Sequence, residues 1–249
     1  MTVLRAFVFN LYFIVLTLMM GIAAFAIRLF GKKYALAYAK LWTGLTLRGL
    51  ERICRIDIQV SGLEHLPPGP CLLACQHQSM FDTFAWMNIV PLPTYVMKRE
   101  LERIPLVGPM LRLTGMIGVD RDGGARALRA LLAAADGAAK EGRQIIIFPE
   151  GTRTPPGAAI KLQPGIAALS AHTGLPVIPV ATDAGLHWGP NALLKTPGTI
   201  HIVVGRPLPA GLKRAQLLPA IGSAWQDLCT HNGLPVPRAG RLPEGAPVG

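Results

Sequence analysis

The sequence contains few cysteines, and none of them stands in a metal-binding pattern. Its 249 residues include four cysteines, Cys54, Cys71, Cys75 and Cys229, and no Cys or His pair completes the spacing of a zinc site. We therefore expect no bound metal. We interpret Cys71 and Cys75, which share one face of a predicted strand, as packing residues. The small number of cysteines also fits a protein of a reducing compartment.

Acidic residues are scarce as well. Fourteen Asp and Glu residues stand against 25 Lys and Arg, which leaves a formal charge of +11. Such an excess indicates an anionic partner: nucleic acid, anionic lipid or a phosphorylated substrate. The basic residues are scattered and lack the interleaved aromatic residues of a base-stacking surface, so we expect no nucleic-acid binding.

Internal repeats are absent, and low complexity is confined to the end of the chain. A chain of 249 residues buries one good-sized core and does not require two globular domains. Residues 233–249, "GLPVPRAGRLPEGAPVG", are rich in Pro and Gly and predict a disordered tail. We therefore divide the chain into N-terminal helices (1–55), an α/β domain (56–232) and this tail.

Residues 6–27, "AFVFNLYFIVLTLMMGIAAFAI", carry no charge. As a helix they would extend about 33 Å, close to the thickness of a bilayer core. The basic residues Arg28, Lys32 and Lys33 follow at once, which by the positive-inside tendency places the rest of the chain in the cytoplasm. We expect a membrane-associated protein whose first helix either spans the bilayer or lies in one leaflet.

Two alternatives apply to this N-terminal region. A cleaved signal peptide is one, because "AFA" at 24–26 resembles a cleavage site, although the apolar run is long and only Arg5 precedes it. The other concerns the mostly apolar stretch 34–54, which fits a second helix in the membrane interface or an ordinary core helix.

From residue 56 the pattern is that of an α/β domain. Residues 125–142 predict a helix, because alanine and leucine favour helix and Gly142 fits a C-terminal stop. The predicted fold is a mixed central sheet flanked by helices and preceded by the N-terminal helical segment. The predicted strands are 56–60, 71–75, 94–97, 116–119, 144–148, 177–181 and 199–204.

His77 and Asp82 follow the buried strand "CLLAC" in "QHQSMFD". The carboxyl end of a strand is where open α/β sheets place ligand chemistry. A neutral histidine there accepts a proton from a hydroxyl if a carboxylate orients its ring and stabilises the imidazolium. The alternative is a capping box formed by Ser79 and Asp82 at the start of a helix, and the two interpretations are compatible.

A second strand end, "IIIFPEGTR" at 145–153, is also polar. Gly151 permits a tight turn, Glu150 accepts hydrogen bonds from hydroxyls, and Arg153 offers paired donors to phosphate oxygens. A third end, "GVDRD" at 118–122, adds Arg121. Alone, each is more often a polar turn or a surface ion pair. Together they suit a hydroxyl nucleophile on a phosphorylated molecule.

These residues carry a resemblance to a known family. The order of H-x4-D at 77–82, "VDR" at 119–121, "FPEGTR" at 148–153 and "VIPV" at 177–180 resembles the four blocks of the 1-acyl-sn-glycerol-3-phosphate (lysophosphatidic acid) acyltransferases. The resemblance covers residues 57–187. Many members have Asn where this chain has Gln76, and a basic residue where it has Gln163, with Lys161 nearby.

The resemblance implies an enzyme that esterifies lysophosphatidic acid with acyl-CoA or acyl carrier protein as donor, and no cofactor beyond that donor. His77 would be the general base and Asp82 its orienting acid. Membrane lipids and the lysophospholipid acceptor are the implied partners. None of the four blocks contains a cysteine or a serine that is plainly placed as a covalent nucleophile. The acceptor hydroxyl would therefore attack the thioester directly. The predicted substrate ligands are Arg121, Glu150, Gly151, Thr152 and Arg153.

Other functions remain compatible with the same residues. The acceptor could be another lysolipid or glycerol 3-phosphate. A membrane-anchored esterase would use His77 to activate water, and would release free acid rather than a new ester. A noncatalytic protein that binds anionic lipid would need neither His77 nor Asp82.

Overall fold

The computed structural model describes residues 1–30, 32–120, 123–189 and 193–239. The helices are α1 (Thr2–Phe30), α2 (Lys32–Cys54), α3 (Phe81–Ile89), α4 (Gly108–Leu113), α5 (Gly124–Lys140), α6 (Gly165–Thr173), α7 (Ala184–His187) and α8 (Arg214–His231). The strands are β1 (Ile56–Ser61), β2 (Cys71–Cys75), β3 (Pro93–Lys98), β4 (Ile117–Val119), β5 (Gln144–Ile147), β6 (Ala159–Ile160), β7 (Val177–Thr182), β8 (Gly198–Val204) and β9 (Arg238–Ala239). All seven predicted strands and the predicted helix over 125–142 are confirmed, the latter as α5.

Seven strands form one mixed sheet in the order β1-β8-β7-β2-β5-β3-β4. Neighbouring strands run parallel except β7 and β8, which are antiparallel. Strands β2, β5 and β7 therefore end at the same edge, where β8 and β1 begin. We call this the carboxyl edge of the sheet, and it is the edge at which ligand chemistry is expected.

The central strand β2 is buried at every position, as expected for a strand covered on both faces. Alternation sends Leu73 to one face, where it packs with residues of the first three helices. Leu72 points to the other face, against α5, α6 and α8. The two faces therefore carry separate apolar cores, one of them built with the N-terminal helices.

Helix α1 belongs to the fold of the α/β domain. Phe9 is fully buried in the same core as Leu50 of α2, Leu73 of β2 and Phe84 of α3. Helix α2 packs along α1 and α3, so it is a packing helix of the core. The N-terminal helices therefore do not form a unit with a core of its own.

Much of α1 nevertheless remains uncovered. Residues Thr2–Ile27 are long and apolar enough to cross a membrane, with a mean hydropathy of 2.1, and only 11% of the most apolar window is buried. Phe9 faces the domain, whereas Phe7 and Leu11 are exposed. An apolar face of this size marks an interaction surface.

The first part of the predicted tail is folded onto the domain. Leu234 is buried against α8 and the sheet, and β9 pairs in parallel with β6. The prediction of a disordered segment from residue 233 is therefore wrong for residues 233–239. The sequence pattern misses this contact because two-residue strands have no periodicity of their own. Residues 240–249 lie outside the described residues.

The shared core predicts a specific asymmetry within α1. Replacement of buried Phe9 by alanine should lower the free energy of unfolding by about 3 to 5 kcal/mol, because a large cavity remains. The matched control is Phe7→Ala, since Phe7 is 65% exposed two residues away. Denaturant unfolding in detergent measures both. Equal effects of the two substitutions would show that α1 does not contribute to the core.

Candidate active site

His77, in the loop after β2, meets Asp82 in the first turn of α3. Oδ2 of Asp82 lies 3.1 Å from Nδ1 of His77. The same oxygen accepts hydrogen bonds from the backbone N–H groups of Gln78, at 2.7 Å, and Ser79, at 2.8 Å. Asp82 is buried, and His77 keeps 14% of its side chain exposed. One carboxylate oxygen therefore holds both the ring and the backbone of the loop.

The alternative capping role of Asp82 is present at the same time. Its carboxylate accepts the Ser79 N–H, while Oγ of Ser79 accepts the N–H of Phe81 at 3.1 Å, where α3 begins. These bonds satisfy backbone donors at a helix start, as a capping box does, although Ser79 bonds one residue earlier than the standard pattern. The helix start thus fixes the position from which Asp82 reaches His77.

Two buried glutamines flank His77, and the sequence alone did not assign them a role. Oε1 of Gln76 accepts the N–H of Thr182 at 3.0 Å, and Nε2 of Gln78 donates to the carbonyl of the same residue at 2.7 Å. Oε1 of Gln78 also accepts the N–H of Gly185. The sequence did contain a signal for these contacts. Two amide side chains follow a buried strand, and buried polar groups need hydrogen-bond partners.

Glu150 binds the backbone of His77 from the other side. Its Oε2 accepts the His77 N–H at 2.5 Å, and the N–H of Thr154 donates to the His77 carbonyl at 2.7 Å. Glu150 is 6% exposed, and burial raises the pKa of its carboxyl from 4.5 to about 8. The structure thus gives Glu150 a partner within the protein, where the sequence predicted a substrate ligand.

Phe148 is a third residue to which sequence reasoning assigned no role. Its ring stacks on the ring of His77 with a centroid distance of 4.2 Å and an interplanar angle of 21°. The ring of Tyr95 also stacks with that of Phe148, at a centroid distance of 6.2 Å. The aromatic stack limits rotation of the imidazole, while Asp82 holds Nδ1. Nε2 is therefore the ring nitrogen left for chemistry.

The remaining predicted ligands lie in the loop after β5. Gly151 has a φ of 73°, a conformation that favours glycine, and its N–H donates to the carbonyl of Phe148. Thr152 is exposed and Arg153 is half-buried. Within the described ranges, no carboxylate forms an ion pair with Arg153. Arg121, predicted to act with it, lies outside the described residues.

A cleft of about 550 Å³ extends from this loop toward α5 and α6. Phe148, which covers the His77 ring, forms part of its wall, so the cleft adjoins the candidate base. Asp120, Glu150, Thr152 and Gln163 supply polar groups, and the rest of the lining is mainly apolar. The apolar lining includes Val96, Met97, Val119, Leu128, Leu131, Ile147 and Ile166.

Comparisons with known proteins agree with this geometry. The family model described as "Acyltransferase" matches residues 57–183, from β1 to just after β7. The chain belongs to the acyltransferase family. The segment that matches contains His77, Asp82 and the loop after β5, which confirms the resemblance that the sequence motifs predicted.

Individual relatives carry a common name. A "1-acyl-sn-glycerol-3-phosphate acyltransferase" of Pseudomonas aeruginosa is 39% identical over 153 residues, which are 61% of this chain and 60% of the relative. One from Cocos nucifera is 31% identical over 136 residues, 54% of this chain and 44% of the relative. The matches therefore span less than two thirds of these relatives.

The fold is also similar to a crystal structure. The "1-acyl-sn-glycerophosphate (LPA) acyltransferase, PlsC, from Thermotoga maritima" superposes with a TM-score of 0.75 over 94% of this chain and 98% of the other. Sequence identity is 23%, so the likeness is one of fold. It confirms the mixed sheet flanked by helices, and because it covers 94% of this chain the N-terminal helices are largely included.

The buried Glu150 carboxyl predicts a change of stability with pH. Its pKa is raised from 4.5 to about 8, so its stabilising contribution is complete below pH 4.5 and is lost as pH rises through about 8. Glu150→Gln keeps an acceptor for the His77 N–H without this ionisation. The stability of the wild type relative to that variant should therefore fall between pH 4.5 and 8, by about 1.4 kcal/mol for each unit of pKa shift.

The measurement is thermal unfolding of both proteins across this pH range in one detergent. Glu64→Gln is the control, because the Glu64 side chain is 75% exposed. This control should follow the wild-type curve. Parallel curves for the wild type and Glu150→Gln would contradict the raised pKa.

Proposed function

We propose that the protein is a 1-acylglycerol-3-phosphate O-acyltransferase. It transfers an acyl group from acyl-CoA or acyl carrier protein to the free hydroxyl of lysophosphatidic acid, giving phosphatidic acid for phospholipid synthesis. The observation that carries this proposal is the contact between His77 and Asp82 at the carboxyl edge, inside the segment that matches the acyltransferase family. The names of the relatives support the choice of acceptor.

The reaction begins with removal of a proton. Asp82 accepts from Nδ1 of His77, so Nε2 carries the lone pair that accepts the proton of the acceptor hydroxyl. The hydroxyl oxygen attacks the carbonyl carbon of the thioester, and the tetrahedral intermediate then expels the thiolate. The imidazolium, stabilised by Asp82, returns the proton to that sulfur.

Direct attack is consistent with the state of the nearby thiol. Cys75 ends β2 and is the cysteine closest to His77 in sequence, but it is fully buried in the core. Burial raises the pKa of the Cys75 thiol well above its ordinary value, so the nucleophilic thiolate is strongly disfavoured. A covalent acyl-cysteine intermediate is therefore not part of the proposal, and the reaction needs no cofactor.

The charged and apolar parts of the site suit the phosphate group and the acyl chain of the substrates. Arg153, with Arg121, would bind the acceptor phosphate, since guanidinium groups form paired charge-assisted hydrogen bonds with phosphate. The apolar wall of the cleft would hold an acyl chain. The exposed face of α1 would bind membrane lipid, with the α/β domain on the cytoplasmic side.

His77 provides the first functional prediction. His77→Ala should lower kcat by about 100-fold or more while the protein stays folded, given the usual contribution of a general base. Asp82→Asn should also lose most activity, because an amide does not stabilise imidazolium as a carboxylate does. The assay offers lysophosphatidic acid, glycerol 3-phosphate and neutral lysolipids side by side, with mass-spectrometric detection of products.

The products separate the competing functions. A new ester identifies an acyltransferase and shows which acceptor it uses, whereas free fatty acid identifies an esterase. Wild-type turnover in His77→Ala would rule out the proposed base. Normal turnover in Asp82→Asn would leave Asp82 with its capping role alone.

Arg153 provides the second functional prediction. Arg153→Lys should raise the acceptor KM about tenfold, or about 1.4 kcal/mol, with a smaller effect on the donor KM, because lysine lacks the paired donors of arginine. Arg121→Ala should act in the same direction. If both residues bind one phosphate, the double variant should lose less than the sum of the single losses.

A monoacylglycerol serves as the control acceptor, since it lacks the phosphate. The wild type should use it poorly, and Arg153→Lys should narrow the difference between the two acceptors. A loss confined to donor use would instead place Arg153 at the phosphates of the acyl carrier.

A further inference from the structure

A short loop at the carboxyl edge presents two adjacent leucines to solvent. Leu193 and Leu194 are 71% and 63% exposed, whereas the next residue, Lys195, is 1% exposed. The loop precedes β8, which begins at the same edge as the His77 site. Exposing two large apolar side chains next to a buried charge reverses the usual preference of these residue types.

The loop is attached to α1 by side-chain hydrogen bonds. Nδ2 of Asn10 donates to the carbonyl of Leu193 at 3.0 Å, and the ammonium of Lys195 donates to Oδ1 of Asn10. The Lys195 ammonium also lies over the rings of Phe9, at 5.1 Å, and Trp188, at 4.8 Å. Cation–π contacts and the two hydrogen bonds of Asn10, one of them partly buried, together hold the loop against the helix.

The two leucines therefore adjoin the uncovered face of α1. The large apolar side chains exposed near Asn10 are Leu4, Phe7, Val8, Leu11, Ile14 and Val15. They extend over several turns, so the loop and the helix present one apolar surface at one edge of the protein. Apolar side chains that are exposed together in this way, rather than singly, mark an interaction surface.

Two exposed cations lie where α2 ends. Arg52 is in the last turn of α2 and Arg55 directly follows the helix, and both are exposed. The carbonyl of Arg55 accepts the N–H of Gly198, three residues after Lys195. An apolar surface combined with exposed arginines is complementary to an anionic bilayer, whose acyl region accepts the leucines and whose headgroups attract the cations.

We propose that residues 193–195 form a second bilayer-inserting element, held against α1 by Asn10 and Lys195, which turns the carboxyl edge of the sheet toward an anionic bilayer. A lysophospholipid in that bilayer then approaches His77 from the membrane. Insertion of the loop rests on the membrane association of α1 proposed above. Its tests measure membrane contact, so they do not depend on the acyltransferase activity.

A depth-sensitive label tests the loop directly. The full-length Leu194→Cys variant is labelled with an NBD fluorophore, and wild type reports the background, because its four cysteines are all buried. The control is Leu63→Cys, since Leu63 is 44% exposed just beyond the end of β1, at the opposite edge of the sheet. Vesicles of phosphatidylcholine with phosphatidylglycerol serve as the bilayer.

On vesicle binding, the label at 194 should shift to shorter wavelength, gain intensity and be quenched by lipids carrying doxyl groups on their acyl chains. The label at 63 should do none of these. A label at 194 that stays in water while the protein floats with the vesicles would overturn the proposal. A shift caused by higher protein concentration without vesicles would also overturn it, in favour of a contact between copies of the chain.

Partitioning gives a second measurement. The double substitution Leu193→Asp and Leu194→Asp should weaken vesicle binding about tenfold or more, because it removes two inserted leucines and adds charge of the wrong sign. Leu63→Asp should leave binding unchanged. Wild-type binding by the double variant would overturn the proposal. Failure of the wild type itself to float would overturn the membrane association of α1, and the loop proposal with it.

Discussion

The candidate active site depends on one carboxylate oxygen. Oδ2 of Asp82 accepts hydrogen bonds from two consecutive backbone N–H groups and from the ring of His77. Because the two backbone bonds set the shape of the loop, the ring can meet the carboxylate only in one arrangement. Both backbone polar groups of His77 are bound in turn by the loop after β5, through Glu150 and Thr154. Ring, loop and neighbouring loop are thus positioned together.

The pairing of the strands makes this arrangement possible. Strands β2 and β5 are parallel neighbours, so their ends lie side by side although the two loops are about seventy positions apart in sequence. Strand β7, on the other side of β2, supplies Thr182 to the amides of Gln76 and Gln78. The loop that carries His77 is therefore held from both sides, and this rigidity would suit the general-base role proposed for His77.

A chain of contacts also joins the candidate active site to the apolar helix. Gln78 binds the start of α7, and Trp188 follows the end of that helix. The Trp188 ring packs edge-on against Phe9 of α1 at 5.5 Å. The exposed apolar face of α1 and the position of His77 are consequently set by one continuous core. The apolar helix and the candidate site therefore belong to a single folded unit.

Local patterns in the sequence determined the strands, the long helix α5, the apolar character of α1 and the polar strand ends that contain His77, Asp82 and Arg153. These features depend on periodicity and on residue type within a short window. Contacts between distant segments were decided only by the tertiary structure: Glu150 on the His77 backbone, Phe148 on its ring, Phe9 in the sheet core and Leu234 on the domain. A short window contains no signal for such contacts, because each partner's identity is set by strand order and by the direction a side chain takes from its own element.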